Sequence, residues 1–175
     1  MDKYTLLRKL EPNEVIKNRT ILAPNVLVTI RLRSRINLFA HLDQLKTAFH
    51  TWKSTQKLLR AKVVKYGEDY FYVIDEDSSA NKNLENIHFL RIKSNLDSDL
   101  NKVLIDDNLV LDLAIDKCLS ELIDFNNNPD LLWRMLIIEV MKDNNEFVYE
   151  LIWHSNHIIA DGVSMKEHIP LLLEI

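Results

Sequence analysis

Alternation of apolar and polar side chains predicts β-strands along much of the chain. Residues Asn25–Arg33 alternate and are rich in β-branched side chains, which favours a strand. Two apolar stretches flank Lys142–Asn145 and predict a hairpin, and a second hairpin is predicted around Tyr66–Glu68. The predicted strands are Asn25–Arg33, Ala61–Lys65, Asp69–Ile74, Ile87–Ile92, Trp133–Met141 and Phe147–Trp153.

Helical spacing accounts for most of the remaining apolar positions. A helix is predicted over residues 38–53, with Asn37 as its N-cap and one face lined by Leu38, Leu42, Leu45, Phe49 and Trp52. A second helix is predicted over residues 108–125 and ends at Asn126–Pro129. Its apolar positions near a helical period are Leu109, Leu113, Cys118, Leu119 and Leu122. A last helix is predicted from Ser164, although it contains Pro170, and the polar residues 75–85 predict a surface loop.

Together these elements predict an α+β (mixed α/β) domain, in which helices cover a mixed, mostly antiparallel sheet. The chain has 175 residues, is 47% hydrophobic and 27% charged, and contains no repeat or linker, so we expect one domain. A net charge of -4 argues weakly against a nucleic-acid surface. Cys118 is the only cysteine, the N-terminus lacks a signal pattern, and no apolar run is long enough to span a bilayer. We therefore expect a cytoplasmic protein without a membrane span.

The most informative segment is His154–Ser164, which places His157, Asp161 and Gly162 directly after a predicted strand. A histidine can accept a proton near neutral pH. Asp161 can hold a turn by accepting hydrogen bonds from backbone amides or from an arginine, and Gly162 frees the backbone. The spacing indicates a compact proton-transfer site. A structural loop histidine is the alternative, and metal ligation by His154, His157 and Asp161 is a much weaker one.

Residues Asn156–Gly162 resemble the HHxxxDG signature of the CoA-dependent acyltransferase superfamily. This group includes condensation domains, alcohol acetyltransferase-like enzymes and chloramphenicol acetyltransferase. Three other segments are similar to family patterns and occur in the expected order: Arg8–Glu14 to an N-terminal RpLxxxE, Leu59-Arg60 to the end of HPxLR, and Pro129–Arg134 to a PLWR strand start. The resemblance covers nearly the whole chain and implies that residues 1–175 form a single N-terminal lobe.

The resemblance implies a chloramphenicol acetyltransferase-like fold of two similar lobes, with the motif in a tunnel between them. An acyl thioester, on CoA or on a carrier-protein phosphopantetheine arm, would enter from one side and an alcohol or amine acceptor from the other. His157 maps to the general base, which deprotonates the acceptor for direct attack on the thioester. Asp161 maps to a structural carboxylate that pairs with an arginine, and Gly162 maps to the glycine that allows close passage of the backbone. No permanently bound cofactor and no metal is implied.

Two departures from the family pattern affect this interpretation. Asn156 stands where the signature has its first histidine, a position that is generally less critical, and asparagine can still donate a hydrogen bond. No DFGWG-like segment follows, so we expect the second lobe to come from a longer protein or from a partner chain. The arginine that would pair with Asp161 stays open among Arg19, Arg31, Arg33, Arg35 and Arg134.

Two other functions compete with an acyltransferase lobe. A catalytically silent binding or assembly module of the same fold is favoured by Asn156 and by the missing second lobe. A generic α/β binding domain with a chance HxxxDG is the third reading, because short motifs often match by accident. Cys118 lies among apolar residues and is predicted to be a buried small hydrophobe, not a nucleophile.

Overall fold

The computed structural model describes residues 4–19, 25–75, 85–91, 107–128, 130–143 and 146–159. The strands in these ranges are β1 (Thr5–Lys9), β2 (Asn25–Ser34), β3 (Lys62–Tyr66), β4 (Asp69–Ile74), β5 (Ile87–Arg91), β6 (Trp133–Asp143) and β7 (Glu146–Asn156). The α-helices are α1 (Pro12–Arg19), α2 (Leu42–Thr55) and α3 (Asp107–Ser120). Short 3-10 helices span Leu38–His41 and Lys57–Arg60.

The strands form two sheets. The larger sheet has the order β2-β7-β6-β5, in which β7 pairs antiparallel with both β2 and β6, and β5 runs parallel to β6. The smaller sheet has the order β1-β4-β3 and is antiparallel throughout. Because β7 has a strand on each side, it lies inside the larger sheet, and its residues are buried from Val148 to Asn156.

A single hydrophobic cluster joins α2 to both sheets. Trp52 of α2 belongs to the same buried cluster as Val63 and Tyr72 of the smaller sheet and Trp133 and Trp153 of the larger sheet. The rings of Trp133 and Trp153 are stacked with their centroids 4.7 Å apart, and Trp52 meets each of them edge-on at 5.8 Å. All three tryptophans of the chain therefore lie in one core, which makes the Trp133 and Trp153 rings core residues.

The opposite face of the larger sheet packs against α3. Cys118 of α3 joins Ile138 of β6 and Ile152 of β7 in a second buried cluster. Successive strand residues point to opposite faces of a sheet. His154 therefore shares the α3 side with Ile152, whereas Trp153 points into the main core.

The predicted fold class is confirmed, because the chain combines helices with mostly antiparallel sheets. The six predicted strands occur within a few residues of their predicted bounds. The hairpin between β3 and β4 turns at Gly67, whose φ of 62° is a conformation that glycine adopts without strain. Helix α1 and strand β1 were not predicted. For β1 the reason is that four of the five residues of Thr5–Lys9 are exposed, so the strand shows no apolar alternation.

The two described helix predictions need correction at their ends. The segment predicted as a helix over 38–53 begins as a 3-10 turn, and Asn37 caps it by accepting the N–H groups of Phe39 and Ala40 at 3.0 Å each. The α-helical part runs from Leu42 to Thr55, with Phe49 and Trp52 buried as predicted. The conventional α-helix therefore starts four residues later than the apolar spacing indicates.

The helix predicted over 108–125 ends at Ser120, because the following residues leave the helix axis and Ile123 is bound by side chains of the larger sheet. The residues of α3 that face the sheet include Ala114, Ile115 and Cys118. Three of the leucines placed near the helical period are more than half exposed instead, namely Leu113, Leu119 and Leu122.

Two predictions fall outside the described residues. The helix from Ser164 lies wholly outside them, and so does all but the ends of the loop over residues 75–85. Among the residues that the structure does describe, no helix combines the length and the apolar character needed to cross a bilayer.

Candidate functional site

The motif segment lies at the carboxyl end of β7, where the strand passes into a turn. His154, Ser155 and Asn156 are the last three strand residues and are each 0% exposed. His157, Ile158 and Ile159 form the turn that follows, and the two isoleucines join the main core. The turn therefore begins at the end of an interior strand.

Asn156 uses both ends of its side-chain amide. Its Nδ2 donates to the carbonyl of Ile123 at 2.7 Å, and its Oδ1 accepts the N–H of Ile158 at 3.1 Å. Asn25, the register partner of Asn156 on β2, binds Ile123 as well: Oδ1 accepts its N–H at 2.8 Å, and Nδ2 donates to its carbonyl at 3.2 Å. The asparagine at the first motif position therefore links the segment after α3 to the turn that carries His157.

His157 is half-buried at the start of the turn. Its Nδ1 is shielded from solvent and has no hydrogen-bond partner among the described residues. A half-buried imidazole at the end of a strand can accept a proton from a hydroxyl or amine.

The turn is anchored to the smaller sheet through Tyr72. This residue of β4 is 0% exposed, and its hydroxyl donates to the carbonyl of Ile158 at 2.6 Å. A buried tyrosine hydroxyl needs such a partner. The N–H of Ile158 is bound by Asn156 and its carbonyl by Tyr72, so the backbone next to His157 is held on both sides.

His154 belongs to a separate polar network on the α3 side. Its Nδ1 accepts a hydrogen bond from Nε of Arg134 at 3.1 Å, which places the ring proton on Nε2. Burial and the neighbouring Arg134 charge lower the pKa of His154 to about 4, so the ring is neutral at physiological pH. Arg134 also donates to the Glu121 carboxylate at 2.7 Å and to the Glu121 carbonyl at 2.8 Å, which ties β6 to the end of α3.

The structure places the predicted site residues unevenly. Asn156 and His157 lie next to each other at the end of β7, whereas Asp161 and Gly162 lie outside the described residues. Among the arginine candidates for Asp161, Arg134 binds His154 and Glu121, and Arg31 forms an ion pair with Glu150. Both of these guanidinium groups have described partners elsewhere in the larger sheet.

Two of the segments that resemble the superfamily meet in the core. The indole N–H of Trp133, from the PLWR-like segment, donates to the carbonyl of Leu59 at 2.9 Å. At the N-terminus, Arg8 and Glu14 of the RpLxxxE-like segment form an ion pair at 2.6 Å. Tyr72 could not be predicted as a site residue, because a single tyrosine in a predicted strand carries no signal of its hydroxyl partner.

Other chemistry finds less support among the described residues. Cys118 is buried, and burial raises the pKa of its thiol, which disfavours the thiolate needed for nucleophilic attack. Within the described ranges, no group of three or more histidine, cysteine and carboxylate residues has the arrangement of a metal site.

Comparisons with known proteins bear on the fold. No family model matches the sequence, and no curated protein does. The starter condensation domain of rhizomide synthetase RzmA, solved as a mutant in complex with C8-CoA, aligns at a TM-score of 0.67 and 10% identity, over 98% of this chain and 35% of that chain.

Two acyltransferases give similar alignments. The wax ester synthase/diacylglycerol acyltransferase from Marinobacter aquaeolei VT8 matches at a TM-score of 0.62 and 18% identity, over 91% of this chain and 36% of that chain. The trichothecene 15-O-acetyltransferase from Fusarium sporotrichioides matches at 0.61 and 15% identity, over 97% and 34%. The chain thus spans about a third of the length of these proteins. Its fold is that of condensation domains and related acyltransferases, as the sequence resemblance predicts.

Proposed function

We propose that this chain is the N-terminal lobe of an acyltransferase that moves an acyl group from a thioester to an alcohol or amine, with His157 as the general base. The observation that carries the proposal is the position of His157. It is half-buried on the turn after the central strand, with Nδ1 shielded and the adjacent backbone bound by Asn156 and Tyr72. General-base catalysis requires an imidazole in a defined position, and the bound backbone supports one here.

The proposed reaction needs no covalent enzyme intermediate. Nε2 of His157 takes the proton of the acceptor hydroxyl or amine as the acceptor attacks the thioester carbonyl. The carbon–sulfur bond of the tetrahedral intermediate then breaks, and the leaving thiolate takes the proton back from the imidazolium. The products are an ester or amide and a free thiol, and the imidazole returns to its neutral form.

The remaining parts of the site are proposed from the resemblance. Asp161 would hold the motif loop through an arginine, and Gly162 would let the backbone pass close to the substrate. The donor would be an acyl-CoA or a carrier-bound phosphopantetheine thioester, and a second lobe, from a longer protein or a partner chain, would complete the tunnel. One structural neighbour was solved with C8-CoA, which supports a thioester donor. A cytoplasmic location stays a prediction.

The direct test is turnover by the full-length protein. We would incubate it with acetyl-CoA and octanoyl-CoA and with a panel of primary alcohols and amines, and follow the release of free thiol. His157→Ala should lower kcat by about 10²- to 10⁴-fold, which is the usual contribution of a positioned general base. His50→Ala, at an exposed position of α2, is the matched control and should leave kcat unchanged. An unchanged rate for His157→Ala would refute the assignment.

A catalytically silent binding module is the second candidate, and it is favoured by the amide at position 156. The Asn156 amide makes structural hydrogen bonds, and an amide cannot serve as a base. Calorimetry with octanoyl-CoA separates the two functions. A silent module should bind octanoyl-CoA without releasing free thiol. His157→Ala should then release as little thiol as the wild type.

A further inference from the structure

Tyr72 lies between the N-terminal segment and the motif turn. Its hydroxyl donates to the carbonyl of Ile158 at 2.6 Å, while Asn156 accepts the N–H of the same residue. That N–H belongs to the peptide group that also contains the carbonyl of His157. Because peptide groups are planar, fixing the two that flank Ile158 also restricts the backbone that carries the His157 ring.

The tyrosine is itself surrounded by a pair of opposite charges. Arg8 is the register partner of Tyr72 in the β1–β4 ladder, and its guanidinium carbon lies 4.6 Å from the centroid of the Tyr72 ring. The same guanidinium donates two hydrogen bonds to Glu14, at 2.8 and 2.6 Å. Glu14 also accepts the N–H of Glu11 at 2.6 Å, which caps α1 in the manner of a capping box.

The Tyr72 hydroxyl has one proton, and its distances to two acceptor oxygens show which of them receives it. Oη of Tyr72 lies 2.6 Å from the carbonyl of Ile158 and 3.5 Å from Oε1 of Glu14, so the proton is donated to Ile158. Burial and the adjacent Glu14 charge raise the pKa of Tyr72, so the hydroxyl stays a donor at working pH. Burial tends to raise the pKa of Glu14, but hydrogen bonds from Arg8 and the Glu11 amide outweigh it and lower that pKa.

We propose that Tyr72 is a positioning residue for His157 and that Glu14 holds Arg8 over the Tyr72 ring, which keeps the hydroxyl within reach of Ile158; this inference rests on the acyltransferase function proposed above. The N-terminal RpLxxxE-like segment then helps to position His157, although more than 140 residues separate Arg8 from His157 in the sequence. The three residues act on the base through the backbone and touch no substrate.

Tyr72→Phe is the direct test, because it keeps the ring in the core and under Arg8 and removes only the hydroxyl. We expect kcat for octanoyl-CoA to fall about 3- to 30-fold, the equivalent of one hydrogen bond or slightly more, with KM for the donor within twofold. Tyr70→Phe is the matched control: it lies two residues earlier on β4, and its hydroxyl bonds to Asn126 at 3.4 Å, away from the motif turn. It should leave kcat unchanged.

Combining variants tests whether the residues act in sequence. Glu14→Gln should lower kcat in the wild-type background but add nothing to Tyr72→Phe, because Glu14 acts through Tyr72. Neither variant should lower the residual rate of His157→Ala. A residue that merely stabilised the fold would lower the rate additively in each background, and that result would overturn the proposal.

An NMR measurement provides a readout besides turnover. In protein labelled with ¹⁵N-histidine, His157→Ala identifies the His157 ring signals. Tyr72→Phe should shift or broaden them and leave those of the exposed His41, His50 and His88 in place. Unmoved His157 signals, or a wild-type kcat, would overturn the positioning role alone. An unchanged rate for His157→Ala would overturn the proposed function instead. If no donor–acceptor pair is turned over, the His157 ring signals alone decide whether Tyr72 positions His157.

Discussion

At the scale of single residues, Asn156 explains how the chain departs from the HHxxxDG signature without losing the turn. The site needs one donor toward Ile123 and one acceptor for the N–H of Ile158. An asparagine amide supplies both, and so does a neutral imidazole, which has one N–H and one lone pair. The replacement of the first signature histidine therefore keeps the two hydrogen bonds that hold the turn in place.

The amide at position 156 leads to a prediction about three variants. Asn156→His should be tolerated, whereas Asn156→Asp should destabilise the protein by about 3 kcal/mol, because a buried carboxylate would face the carbonyl of Ile123 without a donor. Asn156→Leu, which removes both hydrogen bonds but no charge, should fall in between. Urea unfolding followed by tryptophan fluorescence measures the three. If Asn156→His and Asn156→Asp lost equal free energy of unfolding, the donor-and-acceptor explanation would be contradicted.

The low pKa of His154 predicts that the free energy of unfolding depends on pH. Its pKa of about 4 in the folded protein is lower than the ordinary value of 6.5, so the unfolded chain binds the proton more readily. The stability that this difference provides is present above pH 6.5 and is lost as the pH falls toward 4. Between pH 7 and pH 5 the loss should be about 2 kcal/mol for this fully buried group.

The prediction for His154 is tested by comparing the wild type with His154→Gln. The free energy of unfolding of the wild type and of His154→Gln would be determined from pH 7 to pH 5. Carboxylates titrate in both proteins, so the difference isolates the histidine. A glutamine amide can still accept from Arg134, and the variant should therefore lose stability less steeply than the wild type. Parallel curves would show that His154 does not titrate in this way.

At the scale of elements, the sequence predicts those whose burial follows a simple period. Helix α2 was predicted because its apolar residues face the main core, and strand β7 because it has apolar residues on both faces. The end of α3 was not, because Asn25, about a hundred residues away in the sequence, takes the N–H and the carbonyl of Ile123 out of the helical pattern. Hydrogen bonds from a side chain so distant in the sequence leave no periodic pattern of apolar residues near Ile123.

The same reason divides the candidate site into predicted and unpredicted parts. His157 and Asn156 could be found from a local spacing of residue types. Tyr72 could not, because its importance comes from the approach of β4 to the motif turn, which depends on how the two sheets pack. The Arg8–Glu14 segment differs from its surroundings only in its resemblance to a family pattern, and its contact with Tyr72 depends on the pairing of β1 with β4.

At the scale of the whole molecule, both sheets share one core. Val63 and Tyr72 of the smaller sheet belong to the same buried cluster as the stacked Trp133 and Trp153 of the larger sheet. The two sheets therefore cannot lose their packing independently without exposing apolar surface in both. A shared core of this kind favours a single cooperative unfolding transition over separate melting of each sheet.

A substitution in the smaller sheet should therefore be felt by the tryptophans of the larger one. Val63→Ala, at a side chain that is 3% exposed, should lower the free energy of unfolding by about 2 kcal/mol through lost burial and the resulting cavity. Because no described tryptophan lies in the smaller sheet, tryptophan fluorescence reports on the remaining core, and its urea midpoint should shift as much as that of far-ultraviolet circular dichroism. Val64→Ala, on the half-buried face of β3, should shift both midpoints much less. If Val63→Ala moved only the dichroism midpoint, the two sheets would unfold separately, and the coupling between the smaller sheet and the His157 turn would lose its basis.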